Sequence, residues 1–109
     1  MKDSSRELYQ QAIERWGKPS QIEMLIEEMA ELTLALQKFK RNPSKENADS
    51  VCDEMADVEI MLEQNKLIFS EQEVELRKDF KLDRLSNTLK DTMYEKYQMK
   101  SEDLDNVSK

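Results

Sequence analysis

Apolar residues recur at three- and four-residue spacing through four stretches of the chain, and short polar breaks separate them. Ser4 with Glu7 three residues later has the form of a capping box, and Leu8, Ala12, Ile13 and Trp16 follow at helical spacing as far as Gly17. Beyond a Lys18-Pro19 connector, Ser20 with Glu23 repeats the box and opens a second helix expected to run to about Arg41, where Asn42-Pro43 stops it. Ser44 or Asp49 caps a third helix, whose Val51, Met55, Val58, Leu62 and Phe69 share one face. Ser70 with Glu73 starts a fourth stretch. It carries Val74, Leu85 and Leu89 on a stripe with Phe80 off it, and either reaches about Met99 or breaks near Ser86-Asn87. Residues 101–109 have no periodicity and read as a frayed, disordered acidic tail after a single helical domain over residues 1–100. Four helices on short loops predict an all-α, four-helix antiparallel bundle. So small a core, with stripes on more than one side of long helices, predicts a homo-oligomer.

Composition sharpens this picture by exclusion. One Gly, two Pro and few aromatics leave an all-β sandwich or barrel without its turn residues. Without His there is no serine or cysteine triad, no His-ligated zinc and no Glu-x-x-His di-iron site. Cys52 stands alone, so neither a disulfide within the chain nor a cysteine cluster forms, and a reducing cytoplasm is the expected setting. The first residues lead into no apolar run, and no stretch nears the ~20 apolar residues of a membrane span, so neither secretion nor membrane insertion is expected. With 17 Lys and Arg against 24 Asp and Glu the net charge is -7, which makes duplex nucleic acid a poor partner. An anionic ligand would arrive with a cation.

The position of certain acids carries the chemistry. Glu23, Glu59 and Glu63 lie away from the apolar stripes and are expected to be solvated. At about 100° per residue, however, Glu28 falls within the arc of Met24, Leu25, Leu32, Ala35 and Phe39, with Glu31 at its edge. Glu28 is expected to be at least half buried. On the third helix Glu54 and Asp57 share a sector with Val58, Met61 and Ile68. Two helices thus each turn an i, i+3 pair of acids toward the interior. Burying one unpaired carboxylate costs several kcal/mol, and four close together also repel, so something must neutralise them. Lys and Arg in a structural ion-pair network would serve. A divalent cation suits the set better, because carboxylates without His or Cys favour hard, oxygen-seeking ions, and an open octahedral sphere describes Mg²⁺. The Asp-rich calcium loop of an EF-hand is absent.

Glu27-Glu28-Met29-Ala30-Glu31, then residues 32–53, then Glu54-Met55-Ala56-Asp57, resembles the E-E-x-x-E, spacer, E-x-x-D signature of MazG-like nucleotide pyrophosphohydrolases. The likeness continues through Leu32-x-x-Ala35-Leu36-x-Lys38-x-x-Arg41 and Asp53 to Leu62, reaches Lys81-Leu82-Asp83-Arg84-Leu85, and covers most of residues 8–90. The resemblance implies an all-α dimer or tetramer that hydrolyses nucleoside triphosphates, often deoxynucleotides, to the monophosphate and pyrophosphate. It implies Mg²⁺, with Mn²⁺ as a substitute, held by Glu28, Glu31, Glu54 and Asp57, and water attack at the α-phosphorus in which Glu31 and Glu54 take part. Glu27 points more toward solvent. It is a plain surface acid, a partner behind the ligands, or the base that takes the water's proton.

Among the cations, Lys81 emerges from the apolar stripe of the last helix, seven residues after Val74 and four before Leu85, which suits a phosphate contact, and Arg84 lies one turn on. Lys38 and Arg41 end the second helix, where they either contact phosphate or simply complement the helix dipole. Trp16 beside the Gly17 turn is the candidate for stacking on a base, with Phe39 and Tyr9 behind it, and its bland alternative is a core or interface anchor. Gln21 is a candidate to read a base edge. Met24, Met29, Met55 and Met61 read as adaptable core fillers and Cys52 as a small residue without an activating cation. Two other readings compete with the enzyme: a nucleotide- and metal-binding sensor without turnover, and an acidic helical scaffold. A scaffold would keep its acids on the solvated face.

Overall fold

A computed structural model of the chain describes residues 1–91, which form four helices and contain no strand. The helices are α1 (Asp3–Trp16), α2 (Lys18–Arg41), α3 (Lys45–Phe69) and α4 (Glu71–Thr88). The chain divides into two compact units, Met1–Phe69 with α1 to α3 and a second, starting at Ser70, with α4. The expected end of the fourth helix near Met99, the domain limit at residue 100 and the tail over residues 101–109 lie outside the described residues. Among the described residues no helix is long and apolar enough to cross a membrane.

Of the four expected serine caps, those at Ser44 and Ser70 form and those at Ser4 and Ser20 do not. Ser70 Oγ accepts the Glu73 amide at 3.0 Å, and Ser44 Oγ accepts the Asn47 amide at 3.1 Å, so Ser44 rather than Asp49 opens α3. Asp49 instead pairs with Lys45 one turn away at 3.2 Å. At α1 the helix begins a residue before Ser4. Lys2 is the capping position, its carbonyl accepting the Arg6 amide at 2.9 Å, and Asp3 brings a negative charge to the first turn, where the helix dipole favours it. At α2 the expected connector is already helix. Gly17 has φ 87 and ψ 153, a conformation almost confined to glycine, and it both ends α1 and starts α2. Its amide donates to Ile13 at 2.8 Å while its carbonyl accepts the Gln21 amide at 3.2 Å. Pro19 then sits in the first turn, where its missing N–H leaves nothing unpaired, and Ser20 is inside the helix rather than capping it. The fourth helix ends at Thr88, close to the Ser86-Asn87 break.

Within the first unit α2 and α3 pack as an antiparallel hairpin, and α1 lies against both. The buried apolar residues are Tyr9, Ala35, Val58 and Met61, and they are joined by three buried amides, Gln21, Gln64 and Asn65. Gln64 Nε2 donates to Gln21 Oε1, and Asn65 Nδ2 donates to the carbonyls of Gln21 at 3.1 Å and Met61 at 2.8 Å. These bonds tie the start of α2 to the end of α3. Tyr9 ties α1 to α3 by donating to Glu63 Oε2 at 2.8 Å, so Glu63 is half-buried and not the freely solvated acid its wheel position predicts. Burial, and then the Glu63 carboxylate, raise the Tyr9 hydroxyl above its ordinary 10.0. No side chain is completely buried among the described residues, so the core of this unit is thin.

Candidate metal centre

The acids meet because α2 and α3 run antiparallel and each presents its i, i+3 pair toward the other helix. Glu28 and Glu54 are half-buried, whereas Glu31 and Asp57 lie at the exposed edge. Glu28, Glu54 and Asp57 each place one carboxylate oxygen so that all three atoms lie within 4.8 Å of one another. The expected half-burial of Glu28 is therefore met, and so is the convergence of two acids from α3 upon it.

The electrostatics are those of an uncompensated cluster. Burial first, and then the charges of Glu31, Asp57 and Glu54, hold the Glu28 carboxyl above its ordinary 4.5. Burial and the charges of Glu31 and Asp57 do the same to Glu54, with Asp53 adding a smaller push. Glu31 lies within hydrogen-bonding reach of both Glu28 and Glu54, a geometry that two carboxyl groups tolerate only by sharing a proton or a cation. Glu28 Oε2 and Glu54 Oε2 are also buried without a hydrogen-bond partner. Buried carboxylate oxygens in native proteins are normally paired, so these two atoms are donors open to a cation. An all-oxygen donor set of three carboxylates with a fourth beside them fits a hard divalent ion, and no soft ligand is present to favour another metal.

The sequence-selected acid and cations beyond the cluster fall into three places. Glu27 is exposed on α2 next to the cluster. Lys38 and Arg41 are exposed in the last turn of α2, where they offset the negative end of the helix dipole. Lys81 and Arg84 belong to the second unit, exposed on α4, and line a shallow groove of about 420 Å³ with Leu76, Arg77 and Phe80. Glu73 completes its lining, so the groove combines cationic, apolar and acidic walls.

Trp16 is 61% exposed and forms one wall of a larger groove of about 610 Å³ between α1 and α3, together with Leu8, Ala12, Ile60 and Gln64. Gln21 does not line it. It is 4% exposed, its side-chain carbonyl is engaged by Gln64, and its amide nitrogen donates to Ser20 Oγ at 3.3 Å. Phe39 is half-buried on the inward side of α2 and does not line the groove either. The amides that line the groove are Gln11 and Gln64, and sequence reasoning passed over Gln64. The signal available for it was position alone: Asp57, Ile60 and Gln64 follow at i, i+3 and i+7, so the groove continues along α3 from the acids. No family model, no curated protein and no solved structure matches the chain.

Proposed function

We propose that the chain is a divalent-metal-dependent nucleoside triphosphate pyrophosphohydrolase, converting a (deoxy)nucleoside triphosphate and water into the monophosphate and pyrophosphate. The observation that carries this reading is the uncompensated acid cluster. Glu28 and Glu54 have buried, unpartnered oxygens and raised carboxyl pKa values, and with Asp57 they converge to within 4.8 Å. The E-E-x-x-E and E-x-x-D pattern on which these residues stand supplies the substrate class. A scaffold that met a basic partner through a solvated acidic face would not half-bury Glu28 and Glu54.

Glu28, Glu54 and Asp57 would hold Mg²⁺, or Mn²⁺ in its place, with Glu31 beside them. Such an ion neutralises phosphate charge and lowers the pKa of a bound water. The protein residues do the rest. Glu31, in hydrogen-bonding reach of Glu28 and Glu54 yet open to solvent, is positioned to take the proton of the water that attacks the α-phosphorus, and Glu27 is the alternative base. Within the first unit, Lys38 and Arg41 are the cations offered to the phosphate chain and to the leaving pyrophosphate. The base would lie in the groove against Trp16. Ile60 and Gln64 stand about 5–10 Å beyond Asp57 along the α3 axis, a separation that the α-phosphate and sugar of a nucleotide bridge. A homo-oligomer working in the cytoplasm completes the reading.

The test is pyrophosphate release from a panel of ribo- and deoxynucleoside triphosphates, with Mg²⁺ and with EDTA, for wild type and Glu54→Gln together. Release that requires metal and is lost in the variant supports the proposal. Absence of release from every triphosphate, with Mg²⁺ present, refutes it.

A further inference from the structure

The groove between α1 and α3 holds one of its polar groups in a fixed orientation. Leu8, Ala12, Trp16 and Ile60 are apolar walls, which grip a flat ring without telling one base from another. Discrimination falls to the polar atoms that face the same space. The Tyr9 hydroxyl is committed to Glu63 at 2.8 Å. Gln11 and Arg15 are exposed on α1, so their long side chains turn to suit what they meet. Gln64 differs from them, because it is only 4% exposed and its polar end is held from behind.

A chain of amides sets which end of Gln64 meets the groove. Asn65 Nδ2 donates to the main-chain carbonyl of Gln21 at 3.1 Å and pins the start of α2 against α3. The Gln21 side chain, also 4% exposed, directs its nitrogen to Ser20 Oγ at 3.3 Å and turns Oε1 toward Gln64. Gln64 Nε2 donates to that oxygen. A carboxamide has one donating end and one accepting end, so with Nε2 engaged the atom left to the groove is Oε1. Turning the Gln64 amide over would set two carbonyl oxygens against each other in a buried place, which holds Oε1 where it is. The groove thus presents a fixed acceptor on its α3 wall and, in the guanidinium of Arg15, a donor-only group on its α1 wall.

We infer that Gln64 makes the groove selective for nucleotides whose base carries an amine at the cytosine N4 or adenine N6 position, over the keto bases uracil and thymine. The inference rests on the placement of a base in this groove and names the class of nucleotide within that reading. In cytosine and adenine an amine donor stands beside a ring-nitrogen acceptor on the pairing edge. The amine meets Gln64 Oε1, and the ring nitrogen is left to the donors of the α1 wall. Uracil and thymine put a carbonyl where the amine was, so two acceptors oppose each other with no proton between them. A site that hydrogen-bonds one particular group rejects the analogue lacking it far more strongly than an apolar slot does. Gln21 acts through Gln64 and is a positioning residue.

Trp16 is the sole tryptophan and stands in the groove, so its fluorescence reports binding there without turnover. The test is titration of the full chain, in Mg²⁺, with the α,β-imido analogues of dCTP and dUTP, which share sugar and phosphates and resist cleavage. Wild type is expected to bind the cytosine analogue at least about tenfold more tightly. Gln64→Met, which keeps the length and loses both polar ends, is expected to bring the two affinities within about twofold of each other. Gln64→Glu keeps an acceptor at the groove and is expected to keep the preference. Gln21→Leu, outside the groove, is expected to lower the ratio by releasing the Gln64 amide, whereas a purely structural role would weaken both ligands alike. Equal wild-type affinities, a preference for the uracil analogue, no fluorescence change with either analogue, or a tenfold preference that survives Gln64→Met overturns the inference. A cytosine preference in a protein that releases no pyrophosphate from any triphosphate upholds it and refutes hydrolysis, so the two readings fail separately.

Discussion

Replacing Glu28 by Gln probes the acid cluster most directly, because it removes one charge while nearly preserving shape. In metal-free protein at neutral pH the Glu28 oxygen faces those of Glu54 and Asp57 within 4.8 Å. At that separation each like-charge pair costs about 0.9 kcal/mol even with the dielectric of bulk water, and screening at physiological salt roughly halves it. Two such pairs, to which the charge of Glu31 adds, make Glu28→Gln more stable than wild type by at least about 1 kcal/mol in EDTA at pH 7, or about 4–8 °C in Tm for a domain of this size. The gain depends on pH with a definite sign. A carboxyl whose folded pKa lies above its unfolded value of 4.5 binds more protons folded than unfolded between those two values, so wild-type stability falls as pH rises through that window. Below pH 4.5 Glu28 is protonated in both states and the advantage of the variant disappears. Saturating Mg²⁺ reverses the order at pH 7, since an ion that binds only the folded state stabilises wild type in proportion to its affinity. Thermal melts of both proteins at pH 4 and pH 7, each with EDTA and with Mg²⁺, contain the whole test. A variant that is less stable than wild type in EDTA by the same amount at both pH values would refute the reasoning, because Glu28 would then be a satisfied structural partner.

Two further substitutions test the frame that positions the cluster. Gly17→Ala forces a side chain into φ 87, ψ 153, and although an added Cβ would meet only Pro19 Cδ at 3.9 Å, the backbone strain is expected to cost about 1–3 kcal/mol in urea denaturation; a change under about 0.5 kcal/mol would mean the α1–α2 junction is built otherwise. Tyr9→Phe removes the 2.8 Å bond to Glu63 and is expected to cost about 1–2 kcal/mol, since it also leaves a half-buried carboxylate without its donor. Because the Tyr9 hydroxyl is raised above 10.0, wild type keeps its proton folded where the unfolded chain loses it, so stability declines as pH rises through that value. Tyr9→Phe should lack this alkaline decline, and a decline of equal size in the variant would assign it to other groups.

Much of this molecule is written locally. The 3.6-residue period makes four helices from their apolar spacing, and it also reveals that Glu28, Glu54 and Asp57 intrude on apolar arcs, because a wheel needs only the fixed rotation per residue. The Gly17 and Asn42-Pro43 breaks are visible for the same reason, as are the caps at Ser44 and Ser70, which bond three residues away. Ser4 and Ser20 show where local reading fails. Each has the same capping pattern, but a helix starts where the backbone can turn, and the backbone turned earlier, at Lys2 and at Gly17.

The rest depends on contacts between residues distant along the chain, which no local period encodes. Gln21 appeared available to a ligand until Gln64, 43 residues later, was found to occupy its carbonyl. Glu63 appeared solvated until Tyr9, 54 residues earlier, reached it. In the same way Gln64 acquires a place in the groove only because α1 lies across α3 and brings Trp16 beside it. The sequence by itself determines which side chains share a helix face. Tertiary packing alone decides which face meets which, and therefore that three acids from two helices bring carboxylate oxygens within 4.8 Å of one another.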